Sequence, residues 1–332
     1  MTLSSPRART IADALLEAPV VTSFTKLGYV ARKRLAGWTS LDDYQLAGRV
    51  IVLTGATSGL GLAAARQLAT CGATLVLVGR TAERNEKIVA ELVAATGNTA
   101  ITQVPADMGD LTQVRRLAQH VLTHHDRVDV LIHNAGALTP ERHESPDGTE
   151  ATVASQVVGP FLLSSLLLER LAAAPGSRVI TMSSGGMYAA GLNVSQLEMT
   201  PEKYNGTEQY ARAKRAQVTL NEMWASRSAE SSIRFHAMHP GWAATPGVDA
   251  SLPTFAKVMG PLLRSPAQGA DTLVWLAADD TEPLRTNGGF WLDRRRRSVH
   301  KLPTTRRTDT PERRAELWEW VADRAGCAPA LA

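Results

Sequence analysis

The sequence predicts an α/β fold: one doubly wound parallel sheet with helices on both faces, in a single domain with N- and C-terminal extensions. Two observations predict it. From residue 48 onward, short apolar β-branched runs alternate with helical patterns, and a glycine-rich turn follows the first of these runs. The 332 residues, 44% hydrophobic and 20% charged, also suffice for a large core.

The glycine-rich turn lies in residues 49–61, RVIVLTGATSGLG. An apolar strand ends in Gly55, Gly59 and Gly61, and an alanine-rich helical pattern follows. This order directs the free N–H groups of a helix N-terminus at one spot, which suits a diphosphate. Glycine is needed because a side chain would hold the backbone away from the phosphates.

Six further strands continue the alternation. They are predicted over 73–78, 100–105, 128–132, 177–182, 233–238 and 289–292. Two long connections, 187–208 and 242–264, are of a length typical of functional or flexible loops. The helical pattern over 149–174 is apolar on most sides and is expected to be buried, in the domain or against another subunit of a homo-oligomer.

The predicted domain spans residues 48–298, between an N-terminal helical extension (1–47) and a C-terminal extension with a helix (299–332). In the first extension, Phe24, Leu27, Ala31 and Leu35 share one helical face, and basic residues surround them. Two interpretations remain open. This segment packs on the domain or a partner subunit, or residues 20–38 make a peripheral contact with an anionic membrane surface.

Charge and cysteine content limit the classes of function. Lys and Arg number 36 against 32 Asp and Glu, an excess too small to indicate a nucleic-acid partner. The two cysteines, Cys71 and Cys327, show neither metal-ligand spacing nor a disulfide framework, and no metal site is predicted. We therefore expect a reducing compartment, the cytoplasm. No secretory signal and no uninterrupted apolar run of membrane-spanning length is evident.

The end of the second strand indicates the cofactor. An acidic residue there would bind the ribose 2′-hydroxyl of NAD. This chain has Arg80 after Gly79 instead, and a guanidinium matches the 2′-phosphate of NADP. The alternative is a solvated surface arginine.

The chemistry is indicated by Tyr210-x-x-x-Lys214, since this spacing places both side chains on one helical face. A neighbouring ammonium would lower the pKa of the phenol and make it a usable acid or base. A serine pair, Ser183 and Ser184, follows the fifth strand and could donate a second hydrogen bond to a carbonyl.

These residues together resemble the short-chain dehydrogenases/reductases. TGATSGLG, Asn134-Ala135-Gly136, Ser184, Tyr210-x-x-x-Lys214 and His239-Pro240-Gly241 occur in that family's order, over about residues 48–295. The strings RVITMSSGGMY, YARAKRAQV, MHPGWAATPGV and GADTLVWLA, and the basic N-terminal extension, are similar to the family's member-twelve subgroup. The resemblance implies a Rossmann-type fold and an enzyme that interconverts a carbonyl and an alcohol.

The resemblance also implies residue roles. Tyr210 would be the catalytic acid or base, Lys214 would lower its pKa and hold the nicotinamide ribose, and Ser184, rather than Ser183, would bind the substrate carbonyl. The cofactor would contact Gly55, Thr57, Ser58, Gly59, Leu60 and Gly61 at the diphosphate, Arg80 at the 2′-phosphate, Asp107 and Met108 at the adenine, and Asn134, Ala135, Gly136, Tyr210, Lys214, Pro240, Gly241 and Thr245 along the nicotinamide side.

Two departures from the family pattern stand out. Gln156 occupies the position where the family usually has an asparagine that supports a proton-conducting water chain. Glutamine keeps the amide and moves it by one methylene. The separation between Ser184 and Tyr210 is also longer than usual, so the 187–208 connection is expected to shape the substrate mouth.

The predicted function is therefore NADP(H)-dependent interconversion of a carbonyl and an alcohol on a small substrate. The apolar side chains of 242–264, among them Trp242 and Phe255, favour a hydrophobic one. The alternative is a non-catalytic nucleotide-sensing or regulatory protein on the same fold. His133, His236 and His239 are interpreted as structural. The run 294–297, four arginines, is interpreted as a solvated rim paired with carboxylates, or as a contact for anionic lipid or an acidic partner.

Overall fold

The computed structural model describes residues 6–327 and contains one eight-stranded sheet. The strand order is β3-β2-β1-β4-β5-β6-β7-β8, parallel throughout except for the β7–β8 pair. All seven strands predicted from the sequence are present, and the predicted fold class is confirmed. The strands are β1 (Val50–Thr54), β2 (Thr74–Gly79), β3 (Ile101–Pro105), β4 (Val130–His133), β5 (Arg178–Met182), β6 (Arg234–Met238), β7 (Gly289–Leu292) and β8 (Arg295–Arg296).

Helices cover both faces of this sheet. The segment Ala154–Val158, between the seventh and eighth helices, is a single π-helical turn. The helices are α1 (Pro6–Glu17), α2 (Val20–Phe24), α3 (Lys26–Ala36), α4 (Gly59–Thr70), α5 (Ala82–Thr96), α6 (Leu111–His124), α7 (Ala151–Val153), α8 (Gly159–Ala172), α9 (Gly206–Arg227), α10 (Pro246–Ser251), α11 (Pro253–Met259), α12 (Pro266–Ala278), α13 (Glu282–Arg285), α14 (Pro303–Arg307) and α15 (Pro311–Ala325).

The C-terminal helix α15 covers the apolar helices α8 and α9. Trp318 of α15 packs against Phe161 and Trp224, with ring centroids 5.0 and 4.9 Å apart. This contact explains why the sequence is so apolar over residues 149–174. The helical stretch Ala151–Ala172 is long and apolar enough to cross a membrane by length and composition. However, 72% of its apolar 18-residue segment is buried inside the fold.

The N-terminal extension packs on the domain, as the first of the two interpretations expected, but with a different face. Phe24 and Tyr29 are buried, whereas Leu27, placed on the apolar stripe by the sequence, is 54% exposed. The buried face includes Arg32, which pairs with Asp13 at 2.9 Å and with Asp293 at 2.6 Å. Helical periodicity could not show this because a charged side chain directs the packing.

The arginine run 294–297 is only partly the solvated rim that the sequence suggested. Arg294 pairs with Asp271 at 2.7 Å and Arg297 with Asp13 at 2.6 Å, both largely buried. Asp293 and Arg294 adopt left-handed backbone angles in the tight turn between β7 and β8. The interpretation as a rim therefore holds for the two β8 arginines and is wrong for Arg294 and Arg297.

Candidate active site

The glycine turn after β1 forms a close-packed cradle. A Cβ on Gly61 would collide with the carbonyl oxygen of Gly55, and one on Gly55 would lie 2.8 Å from the Cα of Ala135. Gly55 and Gly59 also have positive φ, +68° and +52°, which side-chain-bearing residues rarely adopt. The N-cap residue of α4, Ser58, makes no capping bond with its side chain, so the first N–H groups of this helix are not capped by it.

Asn134 ties this cradle to the next strand. Its side-chain Nδ2 donates to the carbonyl oxygens of Thr54 and Gly55 at 3.0 and 3.1 Å. The Thr54 hydroxyl in turn accepts from the backbone N–H groups of Asn134 and Ala135, both at 3.1 Å. The ends of β1 and β4 are thereby held at one spacing, which sets the width of the cleft.

The end of β2 carries two cations. Arg80 follows the strand with its side chain exposed, and Arg84 donates to the Thr57 carbonyl of the glycine turn at 3.2 Å. The sequence analysis missed Arg84. Its spacing from Arg80, one helical turn into α5, was the available signal.

Asp107 and Met108 follow β3 at the same edge. Asp107 accepts from the Gly109 N–H at 2.8 Å, and Met108 is buried. A Cβ on Gly159 would collide with the Met108 carbonyl, so α8 begins directly against this turn. A glycine cradle, a helix N-terminus and two cations at adjoining strand ends fit a phosphorylated dinucleotide.

The two serines after β5 have different surroundings. The Ser183 hydroxyl is buried and donates to the carbonyl oxygen of Lys214 at 3.2 Å. The Ser184 hydroxyl accepts from the Gly186 N–H at 3.2 Å and lies beside the Tyr210 phenol, whose pKa it lowers. Ser184 is therefore the serine that faces the tyrosine, as expected.

Tyr210 and Lys214 lie on one face of α9, with the Lys214 Nζ 5.2 Å from the centroid of the Tyr210 ring. The Nζ atom also donates to the Met182 carbonyl at the end of β5, at 2.9 Å. Burial lowers the pKa of Lys214 to about 7. Burial also raises the pKa of Tyr210 to about 12, against the smaller opposite effect of Ser184.

The expected lowering of the Tyr210 pKa by Lys214 is thus not produced by the protein groups alone. Spacing on a helix predicts proximity, but it does not predict desolvation. Here both groups lie in a water-poor edge of the sheet, where the neutral form of each is favoured.

Gln156 lies in the π-helical turn and is fully buried. Its side-chain Nε2 donates to the Ala137 carbonyl at 2.7 Å, while its Oε1 has no partner among the described residues. Its backbone carbonyl accepts from the Nε2 of Gln217 at 2.6 Å. A π-helical turn with an unsatisfied polar atom is typical of functional positions.

A cavity of about 30 Å³ adjoins Gln156. His133, Gln217 and Asn221 line it, and each carries a buried polar atom that lacks a partner in the described part of the chain. Its size and polar lining suit one bound water. The sequence analysis missed Gln217 and Asn221, although they lie three and seven residues after Lys214 on its helix face.

The segment after β6 returns to the cradle. Gly241 has φ +73°, and a Cβ there would meet the Arg264 side chain and the Phe24 carbonyl. The Thr245 side chain caps α10 and lies 3.4 Å from where a Cβ of Gly59 would be. The structure therefore brings Pro240, Gly241 and Thr245 to the same edge as the glycine turn.

His133 of β4 and His236 of β6 make structural contacts, and the Nδ1 of His239, which follows β6, accepts from the Gly241 N–H at 3.2 Å. His133 contacts the Ser164 hydroxyl at 2.8 Å, and His236 contacts the Pro283 carbonyl at 3.0 Å and the Trp291 Nε1 at 3.1 Å. Burial lowers the pKa of His133 and of His236 to about 3, so both are neutral at physiological pH. Over residues 6–327 no group of three or more His, Cys, Asp and Glu side chains could hold a metal ion.

Comparison with known proteins agrees with this geometry. The short chain dehydrogenase family model matches residues 49–254. Human dehydrogenase/reductase SDR family member 12 is 37% identical over 277 residues, which cover 83% of this chain and 86% of that protein. Retinol dehydrogenase 12 of Bos taurus is 31% identical over 306 residues, which cover 90% of this chain and 94% of that protein.

A solved structure of Pseudomonas aeruginosa RhlG in an active-site complex with NADP superposes with a TM-score of 0.60. It is 25% identical and covers 74% of this chain and 94% of its own. The resemblance noted from the motifs is thereby confirmed, and with it the expectation of an enzyme. The chain belongs to the short-chain dehydrogenase/reductase family, with similarity to the family's member 12.

Proposed function

We propose that this enzyme uses NADP(H) to interconvert a carbonyl and an alcohol on a small hydrophobic substrate. The observation that carries the proposal is the meeting of Ser184, Tyr210 and Lys214 at the carboxyl edge of β5, next to the glycine cradle. In open α/β sheets this edge is where ligands bind.

When bound, the nicotinamide ring supplies or accepts the hydride. The Ser184 and Tyr210 hydroxyls lie side by side and would hold the substrate oxygen between them. At neutral pH Tyr210, with a pKa of about 12, keeps its proton, which is the form that donates to the oxygen of a carbonyl being reduced. Lys214, held by the Met182 carbonyl, would contact the cofactor ribose and restore the proton.

NADP in preference to NAD is proposed from Arg80 and Arg84. Arg80 directly follows β2 and is exposed, and Arg84 lies in the first turn of α5, oriented toward the cradle by its bond to the Thr57 carbonyl. A 2′-phosphate between two guanidinium groups would accept charge-assisted hydrogen bonds. The NADP complex of the RhlG structure supports this proposal.

The hydrophobic substrate is proposed from residues 242–264, which we name the substrate loop. Trp242 and Phe255 pack edge to face at 5.2 Å, and Val258 is 72% exposed. These side chains lie on the loop that carries Thr245, beside the cradle. The related retinol dehydrogenase 12 is named for an alcohol of this character.

A ketone panel tests the proposal. Acetophenone, 2-acetylnaphthalene and 2-octanone are offered with NADPH or NADH, and nicotinamide absorbance is followed. We expect turnover of at least one ketone, with a lower KM for NADPH than for NADH. Tight NADPH binding without turnover of ketones, or of the corresponding alcohols with NADP⁺, would favour the nucleotide-sensing alternative.

We also propose that this enzyme is cytoplasmic and contacts a membrane surface peripherally. Val20, Val21 and Leu27 are exposed on the N-terminal extension, and Lys26 and Lys33 flank them. Replacing all three apolar residues by serine in the full chain should abolish co-sedimentation with phosphatidylserine vesicles. Unchanged co-sedimentation would remove this segment from the contact.

A further inference from the structure

Phe24, at the end of α2, lies at the catalytic edge although it belongs to the N-terminal extension. Its ring is edge-on to His239 at 4.5 Å and to Trp242 at 5.8 Å between ring centroids. On its other side, a Cβ on Gly185 would lie only 2.5 Å from the ring. Phe24 therefore fills the space between the residue that follows Ser184 and the first residue of the substrate loop.

The backbone of Phe24 holds both ends of the substrate loop. Its carbonyl accepts from the Trp242 N–H at 2.8 Å and from the Arg264 Nε at 3.0 Å. The two ends are also bonded to each other, because the Arg264 N–H donates to the Trp242 carbonyl at 2.8 Å. The first and last residues of the loop are thus both hydrogen-bonded to the Phe24 carbonyl of the extension.

Arg264 secures this arrangement with buried charge. Its side chain and that of Asp293 are each 1% exposed and are paired at 2.6 Å. The guanidinium also donates to the carbonyls of Ser23 at 2.9 Å and Pro240 at 3.2 Å. Arg32 of α3 binds the same Asp293. Because a buried charge is costly unless paired, these bonds strongly favour one position of the extension.

Between its ends the substrate loop is lightly held. None of the residues of α10 and α11 is buried. Few buried contacts mean a low local stability, so the position of the loop depends on how its ends are held.

We propose that the N-terminal extension is a working part of the active site, with Phe24 as a positioning residue for Ser184 and for the substrate loop. The inference rests on the proposed function, and it deepens it by adding an extension residue to the substrate side. The cradle for the dinucleotide lies at β1 and β2, whereas Phe24 lies at the ends of β5 and β6. Of the expected cofactor contacts only Pro240, Gly241 and Thr245 lie on this side, so loss of the ring should affect the ketone far more than NADPH.

The test compares full-length Phe24→Ala, Phe24→Leu and Trp318→Ala. Trp318 is the matched control, because it is a buried aromatic residue of α15 that packs against Trp224. With 2-acetylnaphthalene and NADPH, Phe24→Ala should lower kcat/KM for the ketone by about 30-fold, while the KM for NADPH stays within about twofold. Phe24→Leu keeps an apolar side chain but lacks the ring contacts with His239 and Trp242, so it should recover only part of this loss. Trp318→Ala should lower Tm and leave both kinetic constants nearly unchanged.

Equal kinetic effects of Phe24→Ala and Trp318→Ala, or parallel losses for ketone and NADPH, would overturn the inference. Hydrogen exchange provides a readout that needs no turnover and no fully folded alanine variant. In Phe24→Leu the amide of Trp242 should exchange at least about tenfold faster than in wild type, with the amide of Ala56 unchanged. An unchanged Trp242 amide would also overturn it. A wild type that reduces no ketone would count against the proposed function alone.

Discussion

Two buried arginines lie at opposite edges of the same sheet. Arg178 begins β5 at the amino edge, and Arg264 follows the substrate loop at the carboxyl edge; each side chain is 1% exposed. Arg178 donates to the carbonyls of Leu276 and Ala277 at 3.0 and 2.8 Å and pairs with Asp280. It therefore joins the end of α12 to the sheet.

At the carboxyl edge, Arg264 is also a buried arginine that pairs with an aspartate and binds carbonyls, but its partners lie near the candidate active site. Arg264 binds loop and extension carbonyls, and burial together with the nearby charge of Arg264 holds the pKa of His239 well below its ordinary value. At the amino edge the buried charge of Arg178 stabilises the packing of a helix on the sheet. At the carboxyl edge the buried charge of Arg264 positions the substrate loop and the N-terminal extension. The difference teaches that burial and pairing alone do not identify functional residues. Their position relative to the strand ends does.

The largest effect expected is at Tyr210. Tyr210→Phe removes the hydroxyl that would transfer the proton, and kcat for ketone reduction should fall by about 10³-fold with NADPH binding retained. At the amino edge, Tyr44 donates to Asp279 at 2.7 Å, so Tyr44→Phe is the matched control and should keep its activity. Steady-state kinetics measures both. Undiminished kcat in Tyr210→Phe would refute the mechanism.

The next effect separates the two arginines. Arg178→Met leaves the carbonyls of Leu276 and Ala277 without their donor and Asp280 with Arg49 alone, and it should lower the free energy of unfolding by about 3 kcal/mol. Its kcat/KM should remain unchanged below the unfolding transition. Arg264→Met should lower both stability and kcat/KM for the ketone. Urea denaturation and steady-state assays measure the two quantities, and a kinetic loss in Arg178→Met equal to that in Arg264→Met would remove the distinction.

A smaller effect is expected where the cofactor is chosen. Arg80→Asp replaces a guanidinium by a carboxylate, which repels a 2′-phosphate and accepts from a ribose hydroxyl. The preference for NADPH should shift toward NADH by about 2 kcal/mol, roughly 30-fold in the ratio of dissociation constants. Arg116→Asp, an exposed arginine of α6, is the control. Fluorescence titration with both cofactors would exclude Arg80 if the ratio does not move.

The smallest effect concerns the pH dependence of stability. Lys214 has a pKa of about 7 in the fold against its ordinary value of 10.5, so between these values the unfolded chain holds a proton that the folded chain lacks. Stability contributed by this site therefore rises with pH across that window and is constant below it. The free energy of unfolding of wild type relative to Lys214→Met should rise by about 1 kcal/mol per pH unit from pH 7 to 9. A flat difference would contradict the desolvation of Lys214.

The sequence by itself determined the parts of the protein that depend on neighbours along the chain. Seven of the eight strands, the glycine turn and the Tyr210–Lys214 spacing follow from local periodicity and from what a backbone turn permits. The assignment of the substrate carbonyl to Ser184 rather than Ser183 comes from the motif that the chain shares with its family, and it stays a prediction.

Tertiary structure alone decided the rest. It made the Tyr210 pKa rise rather than fall, because desolvation depends on the whole surroundings of a group. It buried Arg32 and exposed Leu27, because Asp293, 261 residues along the chain from Arg32, supplies the opposite charge. It brought Phe24 to Gly185 and Gln217 to Gln156 by the same long-range packing. Spacing encodes which residues share an element, but contacts between distant elements are set only when the core closes.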